Sequence, residues 1–352
     1  MNLFDYIRPA SVVEAIAAAS EPGAAYLAGG TNLLDLMKGG ALHPGRLVDF
    51  TRLPGLDRIE RLADGGMRIG AMVRNADLAR HPAFAAAYPA IAEALLSGAS
   101  PQLRNVATVG GNLMQHTRCA YFTDTASACN RRDPGAGCEA RGGENRTHAV
   151  LGWSDACIAT HPSDFCVPLV ALDAVVEIEG PGGRREVALD DFHLLPGTTP
   201  QRETALAAGE LIVALRLPPE ATGFRAHSRY LKLRERTSFA FALVSAAAAL
   251  EIEDGVIRAA RLALGGVAAK PWRARAAEAL LIGAAPDADV FAKAAEAALG
   301  DARPSGDNAF KIELAKRVVK RAFVLAAAGM PDRMPALPAS VFTADTGASF
   351  HA

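Results

Sequence analysis

Five cysteines lie within one short window of an otherwise cysteine-free chain of 352 residues: Cys119, Cys129, Cys138, Cys157 and Cys166. The segment that carries the first four, from about residue 115 to about residue 162, has little apolar periodicity and cannot bury a core unaided. Disulfides, a zinc ion or an iron–sulfur cluster could each hold it together. No CxxC pair is present, and spacing alone leaves these alternatives open.

The fifth cysteine and three nearby histidines have simpler interpretations. Cys166 adjoins the apolar run from Val167 to Leu172, which favours a small buried side chain. His116, His148 and His161 are scattered through a loop-rich stretch, where histidines more often form hydrogen bonds than bind metal. We therefore expect none of these four residues to be a metal ligand.

Two glycine turns share an apolar entry, paired glycines and a small polar side chain. They are Leu27-Ala28-Gly29-Gly30-Thr31-Asn32-Leu33 and Thr108-Val109-Gly110-Gly111-Asn112. Glycine lets backbone amides approach an anion closely, and the polar side chains add donors for phosphate oxygens. Neither turn matches GxGxxG or a P-loop, and each alone is also typical of a tight surface loop.

Four further motifs follow these turns along the chain. They are Ser163-Asp164, Glu210-Leu211-Ile212, Tyr230-Leu231-Lys232, and Leu264-Gly265-Gly266-Val267-Ala268 with Pro271 and Arg273. Together with the turns they resemble the FAD-binding subunits of the xanthine dehydrogenase and carbon monoxide dehydrogenase group, the medium subunits of molybdenum hydroxylases. The resemblance covers nearly the whole chain.

This resemblance implies a set of FAD-binding residues. The first turn would wrap the pyrophosphate and the second would approach it, while Asp164 would reach the adenosine end and Ile212 would pack on the cofactor. Lys232 would lie near the flavin ring, where a positive charge stabilises the reduced form. The implied set is Leu27, Ala28, Gly29, Gly30, Thr31, Asn32, Leu33, Leu34, Thr108, Gly111, Asn112, Ser163, Asp164, Ile212 and Lys232.

The cysteine segment departs from ordinary members of the group, which have a short connection there. It resembles the aldehyde oxidoreductase branch, whose flavin subunit carries an additional [4Fe–4S] cluster. The shared flanks include Arg118-Cys119-Ala120-Tyr121-Phe122, Cys129-Asn130-Arg131 and Cys157-Ile158-Ala159-Thr160-His161-Pro162. The resemblance then implies that the cluster ligands are Cys119, Cys129, Cys138 and Cys157.

Both helices and strands are predicted to position these residues. Ser11 to Glu14 has the form of a capping box and predicts a helix start. Tyr26 to Ala28 predicts a strand before the first glycine turn, with a helix after it. A hairpin is predicted at Asp64-Gly65-Gly66, and Asn75 is predicted to cap the next helix.

The later sequence divides near Pro219. A strand-rich stretch from Val175 turns at Gly180 to Gly183 and ends near Leu217, and separate strands and helices follow. With the resemblance, we expect an α+β (mixed α/β) fold. Its parts are a two-subdomain FAD-binding domain of the vanillyl-alcohol-oxidase type over 1–218, a smaller α+β domain over 219–329, and an extended tail over 330–352.

Composition excludes several function classes. The formal net charge is −1, and no basic track with interleaved aromatics favours nucleic acid. The longest apolar stretch, Phe239 to Leu250, is too short to span a bilayer, and the N-terminus lacks the pattern of a signal peptide. We expect a cytoplasmic protein, or a periplasmic one exported with a signal-bearing partner.

The resemblance implies a role inside a heterotrimer. A molybdenum cofactor in a large partner subunit would oxidise an aldehyde, and [2Fe–2S] clusters in a small partner would relay electrons to FAD in this chain. An acceptor such as dioxygen or a quinone would then receive them. No acid, base or nucleophile is expected here; the alternatives are a self-sufficient FAD oxidase and a zinc- or disulfide-held scaffold without flavin chemistry.

Overall fold

A small parallel sheet begins the chain in the computed structural model, which describes residues 1–331. Its strands run in the order β1–β3–β2. The elements are β1 (Asp5–Ile7), α1 (Val12–Ala19), β2 (Ala24–Leu27), α2 (Leu33–Lys38) and β3 (Arg46–Asp49). Helix α1 begins as predicted, because Ser11 Oγ accepts the N–H of Glu14 at 3.2 Å. The Glu14 carboxylate accepts the N–H of Ala10 rather than that of Ser11, at 2.8 Å.

An antiparallel sheet of five strands follows, in the order β4–β5–β8–β6–β7. The strands are β4 (Ile59–Arg61), β5 (Met67–Gly70), β6 (Val175–Gly180), β7 (Gly183–Ala188) and β8 (Leu211–Leu217). Short helices connect or cover them: α3 (Asn75–Arg80), α4 (Pro82–Ala87), α5 (Pro89–Ser97), α6 (Pro101–Arg104), α7 (Val109–Leu113), α8 (Ala120–Thr123), α9 (Cys166–Ala171) and α10 (Leu189–Phe192). Both predicted hairpin turns are confirmed.

The predicted cap at Asn75 is wrong by one residue. Helix α3 begins at Asn75 itself, and Arg74 is the preceding extended residue. The backbone N–H of Asn75 donates to the carbonyl of Ala107 at 2.9 Å. Its backbone therefore ties α3 to the segment that enters the second glycine turn.

The C-terminal part is a four-stranded antiparallel sheet covered by helices. The strand order is β12–β11–β10–β9. The elements are β9 (Ser228–Leu233), β10 (Val244–Glu253), β11 (Val256–Gly265), β12 (Trp272–Arg273), α11 (Arg275–Leu281), α12 (Ala288–Ala298) and α13 (Phe310–Ala327). A 3₁₀ segment, Pro219–Ala226, separates this sheet from β8.

Strand β10 explains the long apolar run near Phe239. Its side chains alternate between the faces of the sheet. Val244, Ala246 and Ala248 belong to the core beneath the C-terminal helices, whereas Ala247 and Ala249 belong to the core of the preceding region. Both faces of this strand are buried from Val244 to Leu250, and this stretch contains no charged residue.

The cysteine segment contains little regular structure, as predicted, but polar side chains hold its backbone. Arg132 Nη1 donates to the carbonyls of Tyr121, Phe122 and Asp124 at 3.0, 2.9 and 2.8 Å. From α13, Lys311 Nζ donates to the carbonyls of Thr147, His148 and Gly266 at 2.7, 2.8 and 2.7 Å. The segment is therefore fastened to itself by Arg132 and to the C-terminal part by Lys311.

The described residues confirm the mixed α+β class. Within residues 1–331, no helix is both long and apolar enough to cross a membrane. The predicted tail, 330–352, falls almost wholly outside the described residues. None of the five cysteines forms a disulfide within the described residues.

Candidate functional site

A cleft of about 1660 Å³ lies where the two glycine turns meet the C-terminal sheet. Most of the residues predicted to bind FAD line it: Ala28, Gly29, Gly30, Thr31, Asn32, Leu33, Thr108, Gly111, Asn112, Ser163, Asp164, Ile212 and Lys232. Leu27 and Leu34 do not line it. The fold thus brings together residues that are up to about 205 positions apart in the sequence.

The first turn needs both of its glycines, for different reasons. A Cβ on Gly29 would overlap the carbonyl oxygen of Val106, which precedes the second turn. Gly30 has a φ of +70°, in the left-handed region that L side chains rarely adopt. The first turn therefore packs directly on the backbone of the second.

The second turn is organised by side-chain hydrogen bonds. Thr108 caps α7 by accepting the N–H of Gly111 at 3.2 Å. Asn112 Oδ1 accepts the hydroxyl of Ser163 at 2.7 Å and the amide of Gln115 at 2.6 Å. These bonds fix the Asn112 side chain beside the segment that carries Asp164.

Asn32 supplies a buried donor without a partner in the described structure. Its Oδ1 accepts the backbone N–H of His116 at 2.9 Å, whereas its Nδ2 is buried and has no hydrogen bond. An unpaired buried donor is costly unless a ligand completes it. The first turn therefore presents an amide donor that suits an acceptor such as a phosphate or ring oxygen.

Asp164 and Lys232 form a buried ion pair in the cleft wall. Lys232 Nζ lies 2.7 Å from Asp164 Oδ2, and both side chains are under 10% exposed. Lys232 also donates to the carbonyl of Ser97 at 3.2 Å. Tyr230 donates its hydroxyl to Asp164 Oδ1 at 2.5 Å.

The ion pair joins two residues to which the resemblance gives different roles, Asp164 at the adenosine end and Lys232 near the flavin ring. Their side chains lie on one wall of the cleft. The part of FAD that each would contact stays a prediction. Tyr230 was missed, although alternation along β9 puts positions 230 and 232 on one face.

The four predicted cluster ligands surround a second, very small cavity of about 10 Å³. Cys119, Cys129, Cys138 and Cys157 all line it. An isolated antiparallel bridge pairs Cys129 with Cys138. Burial raises the pKa of the Cys119 thiol to about 11 and also raises the pKa of Cys138.

Hydrogen-bond donors lie close to the sulfurs. The N–H of Ala159 donates to Cys157 Sγ at 3.5 Å, and His148 Nε2 lies 3.2 Å from Cys119 Sγ. Arg131 Nη2 contacts Cys157 Sγ at 3.7 Å, and its buried Nε has no partner in the described structure. Such a donor set is suited to an electron-rich, anionic occupant.

Cys166 lies apart from these four cysteines in α9 and is fully buried. Its sulfur, His161 and His193 offer ligand atoms within 4.8 Å of one another, the one such group among residues 1–331. The two imidazoles pack edge to face with centroids 4.3 Å apart, so they fill the space between them. Burial lowers the pKa of His193 to about 4, and both rings are neutral.

The cysteine cavity adjoins the large cleft. Thr117, Cys119 and Tyr121 line both spaces. Thr117 Oγ1 donates to the carbonyl of Thr160 at 3.0 Å and accepts the N–H of Cys119 at 3.3 Å. The wall between the two spaces is therefore one residue thick at Cys119.

Two family models match the chain in succession. The FAD binding domain in molybdopterin dehydrogenase matches residues 2–220. The CO dehydrogenase flavoprotein C-terminal domain matches residues 228–326. Together they cover most of the described residues.

Individual relatives agree with these matches. The aldehyde oxidoreductase FAD-binding subunit PaoB of Escherichia coli (strain K12) is 51% identical over 322 residues, 91% of this chain and 96% of the relative. The carbon monoxide dehydrogenase medium chain of Hydrogenophaga pseudoflava is 31% identical over 325 residues, which are 91% of this chain and 95% of the relative.

A solved structure gives the same result for the fold. Carbon monoxide dehydrogenase from Hydrogenophaga pseudoflava, in a form that lacks the Mo-pyranopterin moiety, matches with a TM-score of 0.73 and 31% identity over 93% of this chain and 98% of that one. The FAD cofactor and the two-part mixed fold predicted from the sequence are confirmed. The chain belongs to the FAD-binding medium subunits of the xanthine dehydrogenase family.

Proposed function

We propose that this chain is the electron-transferring subunit of a heterotrimeric, molybdenum-dependent aldehyde oxidoreductase, and that it holds a [4Fe–4S] cluster beside its FAD. The observation that carries the proposal is the shared wall at Thr117, Cys119 and Tyr121, which puts a four-cysteine site against the FAD cleft. A relative with 51% identity is the FAD-binding subunit of an aldehyde oxidoreductase.

The residues of the cleft suit FAD. We assign the pyrophosphate to the first turn, where Asn32 Nδ2 offers an unpaired donor, and assign contacts from the second turn to Thr108, Gly111 and Asn112. Ser163, Asp164, Ile212 and Lys232 complete the proposed set. Bound FAD supplies conversion between one- and two-electron transfer.

The residues of the small cavity suit an iron–sulfur cluster better than zinc. Zinc prefers close cysteine pairs, which this chain lacks, whereas a cluster inserts its own atoms between more widely spaced thiolates. The N–H of Ala159 and the guanidinium of Arg131 donate toward Cys157 Sγ, and His148 Nε2 lies beside Cys119 Sγ. We propose Cys119, Cys129, Cys138 and Cys157 as the ligands.

Iron and FAD analysis of the purified chain, with its absorption spectrum, tests the cofactor assignment. Cys129→Ser and Cys138→Ser should lose iron and the cluster signal, because each removes a ligand. Cys166→Ser is the matched control, since that thiol is buried in α9 and should leave the iron content unchanged. Equal iron in all three variants would refute the ligand set.

The partners and the route of electrons form the wider proposal. A large subunit with the molybdenum cofactor would oxidise the aldehyde, a small subunit with [2Fe–2S] clusters would deliver electrons, and this chain would pass them to an acceptor such as dioxygen or a quinone. We propose the cytoplasm, or the periplasm by export with a partner. The domain boundary is proposed near Pro219, where the 3₁₀ segment begins.

Anaerobic mixing of an aldehyde with the chain alone and with the assembled complex tests the relay. Flavin absorbance should bleach only in the complex, because the proposal places aldehyde oxidation on the molybdenum subunit. Bleaching in the isolated chain would instead support a self-sufficient FAD oxidase. A colourless protein without flavin would support the scaffold alternative.

A further inference from the structure

A partly buried carboxylate connects the cysteine site to the FAD cleft. Glu203 Oε2 lies 2.7 Å from Arg131 Nη1, and Glu203 Oε1 lies 2.7 Å from His116 Nδ1. Glu203 is far from both in sequence, and its carbonyl accepts the N–H of Leu194 at 2.9 Å. One side chain therefore contacts both sites from a separate segment.

Arg131 faces the cysteines. Its side chain is 5% exposed, its Nη2 contacts Cys157 Sγ at 3.7 Å, and its Nε has no partner within residues 1–331. A buried guanidinium is stable only with compensating acceptors, and Glu203 supplies one side of that compensation. Arg131 also lines the small cavity that the four cysteines surround.

His116 faces the other way. It lines the FAD cleft, and its backbone N–H donates to Asn32 in the first turn at 2.9 Å. Its ring stacks on Phe122, with centroids 5.7 Å apart, and Phe122 lines the cysteine cavity. Burial acts to raise the pKa of Glu203, but the hydrogen bond from His116 and the charge of Arg131 lower it, so the carboxylate is ionised.

We propose that Glu203 is a positioning residue shared by the two redox sites. It holds Arg131 against the four-cysteine centre, where the guanidinium stabilises the more negative, reduced cluster, and it holds His116 in the wall of the FAD cleft. The inference rests on the proposed cluster. Reduction adds negative charge at both sites, so a buried charge near each site shifts its reduction potential.

The two charges predict shifts of opposite sign. Arg131→Met removes the cation and should lower the cluster potential, so that the ratio of reduced to oxidised cluster at a fixed potential falls about tenfold, which is about 59 mV for a one-electron couple. Arg131→Lys keeps a positive charge and should lower the cluster potential less than Arg131→Met does. Glu203→Gln leaves the guanidinium uncompensated and should raise the cluster potential, with a smaller rise for the flavin.

The experiment is a redox titration of the full chain with its FAD and iron, followed by electron paramagnetic resonance for the cluster and by absorbance for the flavin. Glu186→Gln is the control, because Glu186 forms a comparable pair with Arg216 at 2.7 Å on an exposed strand. It should move neither potential. A merely structural role for Glu203 would change iron content or melting temperature without these signed shifts.

The outcomes separate the two proposals. Iron-containing variants in which Arg131→Lys and Glu203→Gln leave both potentials at the wild-type value would overturn the shared role of Glu203 and leave the cluster standing. Wild-type protein without iron would overturn the cluster assignment and the inference together. If Arg131→Met does not fold, the Lys and Gln variants still decide the question.

Discussion

The FAD cleft and the cysteine segment lie against each other but are built by different means. The turns of the cleft follow or begin regular elements, with β2 before the first turn and α7 within the second. The cysteine segment has few such elements and depends on Arg132 and Lys311, whose side chains bind backbone carbonyls. The first turn of the cleft rests on close backbone approach, with side-chain hydrogen bonds added in the second turn, whereas the cysteine segment depends mainly on a few polar side chains.

The difference indicates where each site is vulnerable. Where two backbone segments pack directly on each other, an added side chain disrupts the site, because the neighbouring backbone cannot move aside. A segment held by polar side chains fails when one is removed, because several carbonyls lose their donors together. The predictions below test this contrast.

Gly29→Val should have the largest effect. The added side chain would overlap the carbonyl of Val106 and push the first turn off the second. Overpacking of about 3 kcal/mol corresponds to about 100-fold weaker FAD binding. Fluorescence titration of the deflavinated protein measures this change.

Gly45→Ala is the matched control for that variant. A Cβ on Gly45 meets nothing within 4 Å. FAD affinity should therefore stay at the wild-type value. Equal affinity in both glycine variants would mean that contact between the two turns does not shape the site.

Lys311→Met tests how strongly a polar side chain holds the cysteine segment in place. Three carbonyls lose their donor, and the free energy of unfolding should fall by about 2 kcal/mol because buried acceptors are left unpaired. Iron content should fall as well, because Thr147 and His148 belong to the cysteine segment. Denaturant unfolding and iron analysis check this. Lys316→Met, on the same helix but partly exposed, should change neither quantity measurably.

The stability of the chain should also depend on pH through Lys311. Burial lowers the pKa of this amine from 10.5 to about 7, so between these values the unfolded chain binds more protons than the folded one. The contribution of Lys311 to stability therefore rises with pH across this window and is lost as pH falls toward about 7. Unfolding measured at about pH 7 and about pH 10 should show a smaller rise in Lys311→Met than in wild type.

Local patterns predicted the regular elements well. The capping box at Ser11, the strand before Gly29 and the hairpin at Gly65 each depend on interactions between near neighbours in sequence, which a single sequence displays. The same reasoning placed Asn75 one residue off, because its backbone pairs with Ala107, a distant residue. Resemblance, rather than periodicity, supplied the FAD site.

Long-range polar contacts could not be predicted. From sequence alone, Lys311 and Arg132 would be predicted to be solvated charges. Lys311 is fully buried, however, and Arg132 binds carbonyls from several residues. Glu203 likewise lies more than 70 positions from Arg131. Which carbonyls lack donors is decided only when the chain is folded, so no local pattern contains this information.

The smallest expected effect is at Tyr230, a buried residue of β9 behind the lining residue Asp164. Tyr230→Phe removes the hydroxyl that donates to Asp164 Oδ1 but keeps the ring, so Asp164 retains Lys232 as its partner. Loss of one hydrogen bond of about 1 kcal/mol should weaken FAD binding about fivefold.

The control for Tyr230→Phe is Tyr6→Phe, on the exposed side of the first sheet and outside the lining of the cleft. Its FAD affinity should match wild type. If Tyr230→Phe also binds FAD as wild type does, Lys232 alone orients Asp164. A loss as large as that of Gly29→Val would show that side-chain bonds matter as much to the cleft as its backbone, and the contrast with the cysteine segment would fail.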